Sequence, residues 1–282
     1  MKTILITGAT AGIGRHAALE LVRQGHRVIA TGRREAALAS LAEEARAIGK
    51  GTLEVLRLDV TDEAAVKAAA EAIGAVDVLV NNAGYGQMGP VETVTDAELR
   101  RQFDTNVFGL MNVTRAFLPK MRERGHGRII NVGSIGGRVT FPLMGAYNAT
   151  KYAVESISDA LRIEVAPFGI DVSIVEPGPI KTEFNDRAME TIPLERFDGS
   201  PYEKVVRGAE RLRERFEAQS ASPEVTTRAI VHAALAKRPR VRYVVPFSSA
   251  VMLAIVENLP TRIFDALIRA FSGLTRKNLL ST

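Results

Sequence analysis

The stretch TILITGATAGIG, residues 3–14, decides the fold. A short apolar run, TILIT, goes directly into a glycine-rich turn, and helical spacing begins at once with Ile13, Ala17 and Leu21. A glycine turn between a strand and a helix lets the backbone approach a pyrophosphate, and the free N–H groups and dipole of the helix N-terminus then meet the phosphate charge. The glycines Gly8, Gly12 and Gly14 are spaced G-x-x-x-G-x-G rather than the common G-x-G-x-x-G. A tight turn that binds nothing would look similar. Its position at the first strand–helix junction favours the nucleotide reading.

Further along, apolar β-rich runs alternate with helical patterns: RVIAT (27–31), TLEVLRL (52–58), VDVLV (76–80), RIINV (128–132) and DVSIV (171–175). Near-continuous apolar strands alternating with helices predict a doubly wound parallel sheet of the Rossmann type, covered by helices on both faces. After about residue 183 the alternation fades, and only RYVV (242–245) reads as a further strand. SPYE (200–203) and SPEV (222–225) each offer a Ser N-cap followed by Pro, so two helices are expected to start there. No repeat or linker divides the chain, which reads as a single α/β domain with residues 1–182 as core and 183–282 as a substrate loop and helical extension.

Composition bounds the remainder. Of 282 residues, 46% are apolar and 24% charged, and none is cysteine, which excludes disulfides and thiolate chemistry. No signal-like segment is evident, and a cytoplasmic protein is expected. The net charge of +5 invites a nucleic-acid reading, but most basic residues alternate with acids, as in 207–217, which reads as a solvated helix face. KRPRVR (237–242) is too short for a phosphate-tracking surface, so no nucleic acid is expected.

The common G-x-G-x-x-G does occur, at residues 84–89, with Asp104 twenty residues beyond Gly84. Its context fails. Pro90 follows, the next helix starts near Thr95 with a T-D-A-E capping box, and Asp104 falls inside that helix. At the end of the second strand stand Gly32, Arg33 and Arg34, with no acid before Glu35. A carboxylate there would accept from a ribose 2′-hydroxyl, whereas a guanidinium binds a 2′-phosphate. Arg33 and Arg34 therefore favour NADP(H) over NAD(H); the competing reading makes them exposed helix-start residues, although cations are disfavoured at a helix N-terminus.

GAYNATKYA (145–153) places Tyr147 four residues before Lys151, on one helix face. A phenol is a poor base at neutral pH, and a nearby ammonium together with an oxidised nicotinamide would lower its pKa. Ser134, just past RIINV, stands at a strand end where a second donor to a carbonyl oxygen belongs. The competing reading pairs Lys151 with Glu155 as an ordinary salt bridge. Tyr152 reads as a packing residue beside Ala153 and Ile157.

Together these pieces resemble the short-chain dehydrogenase/reductase family, in its shorter-subunit branch. The matching motifs are TGATAGIG (7–14), LDV (58–60), NNAG (81–84), Asn106 in TNVFG, Ser134, the Tyr147–Lys151 pair and EPGPIKT (176–182). The resemblance implies a catalytic tetrad in which Tyr147 is the acid/base and Ser134 orients the carbonyl. Lys151 would lower the tyrosine pKa and bind the nicotinamide ribose, and Asn106 would hold a relay water. It implies cofactor contacts from Gly8, Thr10, Gly12, Ile13, Gly14, Asp59, Val60, Asn82, Ala83, Gly84, Pro177, Gly178, Ile180 and Thr182, beside Arg33 and Arg34, and no metal. Where some NADP-preferring relatives carry a basic residue before the second glycine, this chain has Ala11, so the NADP(H) expectation rests on the two arginines. A looser similarity to bacterial relatives of hydroxysteroid and retinol dehydrogenases implies a bulky apolar carbonyl or alcohol substrate.

The extension contains AVMLAIV (250–256) and a stripe of Leu259, Ile263, Leu267 and Phe271, with Phe264 and Ile268 beside it. Neither piece reaches the roughly 20 residues a membrane-spanning helix needs. It reads as a packed helix, a lid over an apolar substrate, or a membrane-surface contact. The resemblance further implies a homodimer or homotetramer built through 95–123 and 147–166. Two other readings stay open: a nucleotide-sensing protein without turnover, and a sugar-nucleotide epimerase. Ser134 lacks the G-x-S-x-G frame of a serine hydrolase.

Overall fold

The computed structural model describes residues 1–218 and 220–275, without the side chains of 210–216, so the reading of 207–217 as a solvated face lies largely outside the described residues. Seven parallel strands form one sheet: β1 Thr3–Ile6, β2 Arg27–Gly32, β3 Thr52–Arg57, β4 Val78–Asn81, β5 Gly127–Val132, β6 Ile170–Pro177 and β7 Arg242–Val245. Their order is β3-β2-β1-β4-β5-β6-β7. The chain builds outward from β1 in one direction and from β4 in the other, and the gap where it reverses opens a crevice at the carboxyl ends of the strands.

Helices α1 Gly12–Arg23, α2 Glu35–Ile48, α3 Glu63–Ile73, α4 Asp96–Phe103, α5 Leu110–Arg124 and α6 Gly145–Val165 cover the sheet. They are followed by α7 Phe184–Met189, α8 Glu203–Ala218, α9 Pro223–Leu235, α10 Phe247–Val256 and α11 Thr261–Ser272. One core layer joins α1 and α9 to the sheet through Leu21, Val28 and Ile230; the other packs α3, α5 and α6 on it through Val66, Phe117 and Leu161. The central strands have apolar side chains buried on both faces, whereas no residue of the edge strand β3 is fully buried, and its Glu54 pairs with Arg27 of β2.

Local signals act where the sequence places them. Thr95 and Glu98 close the expected capping box on α4, and Ser222 caps α9 with Pro223 at its first position. The SPYE start differs. Helix α8 begins at Glu203, not Pro201, and the Glu203 carboxylate accepts the Gly199 N–H at 2.8 Å while pairing with Arg207. Asp104 is not inside a continuous α-helix either. Helix α4 ends at Phe103, and Asp104–Gly109 form a π-helical turn before α5. Such a turn shifts its side chains around the axis relative to a regular helix.

The C-terminal helices are not packed as the stripe suggests. Phe264 joins a small cluster with Ile135, Val139 and Leu253, while Ile263 and Leu267 are 50% and 56% exposed. No described helix is long and apolar enough to cross a membrane.

Candidate active site

The turn after β1 is shaped by its glycines. Gly8 and Gly12 adopt φ of +66° and +51°, in the left-handed region. A Cβ on Gly8 would lie 2.7 Å from Ala83 Cα. On Gly14 it would meet Asn82 Nδ2 at 2.4 Å, so this glycine lets α1 lie against the loop after β4. Asn82 holds that contact by donating to the carbonyls of Thr7 and Gly8 at 3.0 and 3.1 Å. The N-cap of α1 is Ala11, which has no side chain able to accept a hydrogen bond, so the first amides of the helix carry no side-chain cap. Glycine backbone and an uncapped helix N-terminus together suit a pyrophosphate.

A cleft of about 550 Å³ runs from this turn across the sheet. At one end stand Arg33 and Arg34. Arg34 donates to the Thr10 carbonyl at 3.2 Å, and Arg33, largely exposed, lies 3.6 Å from Asp59. Burial pushes the Asp59 carboxyl up, but hydrogen bonds from the Thr61 backbone and hydroxyl, together with Arg33, hold it below its ordinary value. Glu35 points to Arg57, 3.4 Å away. Gly32 is needed for space as well, since a Cβ there would lie 2.5 Å from Thr10 Cγ2.

At the other end Ser134, Tyr147 and Lys151 share one wall. Ser134 leaves β5 as the N-cap of a short 3₁₀ turn, its Oγ accepting the Gly136 N–H at 3.0 Å. Tyr147 is bonded to Ser134 and stacks at a tilt on Phe184, with ring centroids 5.4 Å apart. Lys151 Nζ donates to the Val132 carbonyl at 2.8 Å and lies 5.7 Å from the centre of the Tyr147 ring. Burial pushes the tyrosine up to about 12, opposed by the Ser134 bond, so in the protein alone burial outweighs the lowering expected from the lysine. Lys151 is itself pushed down to about 8 by burial, against the pull of the Glu155 carboxylate.

The pairing of Lys151 with Glu155 is not what forms. Glu155 bonds Arg242 of β7, a residue 87 positions away. Tyr152 is 43% exposed and lies at the surface of α6.

Of the residues expected at the site, all line the cleft except Gly14 and Asn106. Asn106 lies in the π-turn behind the wall, 2% exposed. Its amide donates to the Tyr85 carbonyl and to Thr150 Oγ1, each at 3.0 Å, and its Oδ1 accepts the Tyr85 N–H at 3.1 Å. It ties the loop after β4 to the helix that carries Tyr147.

The G-x-G-x-x-G at 84–89 meets no helix N-terminus. Gly84, Tyr85 and Met88 instead form part of the cleft's side. More of that apolar side comes from Phe141, Leu143 and Phe184, none of which carries a motif, and from Ile268 and Phe271 of α11. Leu143 has φ of +64°, the left-handed region unusual for a residue with a side chain, and lies at the site where such strain tends to be kept.

Comparison with known proteins agrees with this geometry. The family model for short chain dehydrogenase matches residues 2–193. Among curated relatives, human 17-beta-hydroxysteroid dehydrogenase type 1 is 36% identical over 249 residues, covering 85% of this chain and 76% of that protein. Among solved structures, the closed form of a serine dehydrogenase complexed with NADP+ has a TM-score of 0.73 at 32% identity, covering 87% of this chain and 95% of that one. A short chain dehydrogenase/reductase from Burkholderia phymatum in complex with NAD has a TM-score of 0.79 at 26% identity, covering 91% and 92%.

Proposed function

Because this chain belongs to the short-chain dehydrogenase family of oxidoreductases, we propose that it uses NADP(H) to interconvert a bulky apolar ketone or aldehyde with its alcohol. The observation that carries the reading is the convergence of Ser134, Tyr147 and Lys151 on one wall of a cleft whose other end is bordered by Arg33 and Arg34. Bound in the cleft, the nicotinamide supplies or accepts the hydride. The chain's own residues do the rest. Ser134 donates to the substrate oxygen, where negative charge develops, and Tyr147 gives that oxygen its proton in reduction or takes it in oxidation. Lys151, cationic below about pH 8, favours the phenolate and holds the ribose. Asn106 acts through position, by fixing Tyr85 and Thr150, and in this reading also holds the relay water.

Two exposed arginines at the end of β2, of which only Arg33 has a carboxylate, Asp59, beside it, support the phosphorylated cofactor. An NAD-bound neighbour shows that this fold also accepts the other, so direct measurement decides. NADPH is expected to bind at least about tenfold more tightly than NADH, and Arg33→Ala with Arg34→Ala should remove that difference. Equal dissociation constants in the unaltered protein would sink the assignment.

The apolar side of the cleft and the hydroxysteroid relative support a bulky apolar substrate; the serine dehydrogenase marks the polar alternative. A panel of ketones assayed by NADPH oxidation separates them, and faster reduction of small polar carbonyls than of long-chain or polycyclic ketones would refute the apolar reading. The exposed Phe108 of the π-turn and Tyr152 and Ile163 of α6, 56%, 43% and 66% accessible, support a homodimer or homotetramer joined through 95–123 and 147–166.

A further inference from the structure

Arg138 stands just past the 3₁₀ turn that Ser134 caps. Its guanidinium reaches two ways. One nitrogen, Nη1, donates at 3.1 Å to Glu176, which is fully buried at the end of β6. The other two, Nε and Nη2, each donate to a different oxygen of Glu257 at 2.7 Å. Glu257 is the C-cap of α10 and so marks the joint between α10 and α11.

The start of α10 is seated firmly: a Cβ on Gly178 would come 2.0 Å from Ser249 Oγ. Helix α11 is held more lightly. Phe264 packs in a small apolar cluster and the helix meets α8, but Ile263 and Leu267 are half exposed, and a twelve-residue helix has little stability of its own. Yet it is this helix that lays Ile268 and Phe271 along the cleft. A guanidinium–carboxylate fork fixes direction as well as distance, which a small apolar cluster does not. With Glu176 anchoring the back of the same guanidinium, the fork has a rigid base.

We propose that Arg138 and Glu257 are positioning residues for substrate capture: their fork ties the wall that bears Ser134 to α10–α11 and so holds α11 over the apolar side of the cleft. The part concerning capture rests on the bulky apolar substrate proposed above. A large ketone needs the α11 wall; a small one, held at Ser134 and Tyr147, does not.

Glu257→Gln keeps the size of the side chain and removes its charge. Hydrogen–deuterium exchange of the cofactor-free protein is expected to show amides in 247–275 exchanging roughly three- to tenfold faster, with strands β1 and β4–β6 unchanged. In NADPH-driven reduction, KM for 2-tetradecanone should rise by a similar factor with kcat within about twofold, while KM for cyclohexanone stays put. Glu257→Asp, which keeps the charge, should recover part of both effects. Unchanged exchange in 247–275 overturns the proposal whatever the enzyme reduces. Equal losses on both ketones, or a fall in kcat alone, overturn the capture role. Faster exchange with neither ketone reduced supports the tether and counts against the substrate reading alone.

Discussion

Tyr147→Phe is expected to lower kcat for carbonyl reduction by roughly 10²- to 10⁴-fold while leaving the dissociation constant of NADPH unchanged. The size follows from what the hydroxyl does and what it does not do. In the proposed mechanism it is the proton donor to the substrate oxygen, and burial raises its pKa to about 12, so it stays protonated across the neutral range. Its structural share is small. Ser134 keeps its bond from the Gly136 N–H, and the ring keeps its contact with Phe184, so phenylalanine fits the same space. Lys151 is anchored independently on the Val132 carbonyl. Retained turnover in this variant, with NADPH still bound, would overturn the assigned mechanism.

The same geometry sets a pH dependence. The depressed lysine pKa, about 8, means the cation is present below that value and lost above it. Reduction should therefore decline as pH rises through about 8, although Tyr147 still carries its proton there. In Glu155→Gln the carboxylate that supports the cation is gone, and the decline should move to lower pH. A profile that stays in place in that variant would show that Glu155 does not set the lysine charge.

Arg242→Leu is expected to destabilise the fold by about 3 kcal/mol near neutral pH, measured by urea unfolding. Arg242 bonds Glu155, Asp159 and Glu176, the last fully buried; burial pushes the guanidinium pKa down, but Glu176 and Glu155 hold it well above its ordinary value. Leucine would leave the buried Glu176 with Arg138 as its ion-pair partner and Glu155 with only the more distant charges of Lys151 and Arg138. Burial and the neighbouring Glu176 push Glu155 up to about 7, from 4.5. A group whose pKa rises on folding contributes stability at low pH and loses it as pH climbs through the folded value. The deficit of the variant should thus be larger at pH 8 than at pH 5.5, where Glu155 is protonated. A loss below about 1 kcal/mol at both pH values would show that the cluster is not held together by Arg242.

Much of this site was legible from local pattern. Gly8, Gly12 and Gly14 announce the turn because their job is steric and confined to neighbouring backbone. Tyr147 and Lys151 announce their shared face because four residues make one helical turn. The apolar side of the cleft gave no such signal. Phe141, Leu143, Phe184 and Ile268 come from three separate segments whose only common property is being apolar, and apolar residues serve cores just as well. On α11, periodicity shows that the helix has an apolar face but not which residues are covered: Phe264 packs and Ile268 and Phe271 line the cleft, while Ile263 and Leu267 are half exposed.

By itself the sequence determined the strand–helix alternation, the glycine turn at the first junction and the order of Ser134, Tyr147 and Lys151, because each depends on residues a few positions apart. Tertiary structure alone decided the partners of the charges. KRPRVR reads as a basic surface cluster, yet Arg242 turns inward and claims Glu155, leaving Lys151 to bond the Val132 carbonyl. An ion pair forms where two charges meet in a partly dry place with good geometry, and that meeting was made by the sheet, which brings β7 alongside β6 and next to the helix that carries the tyrosine.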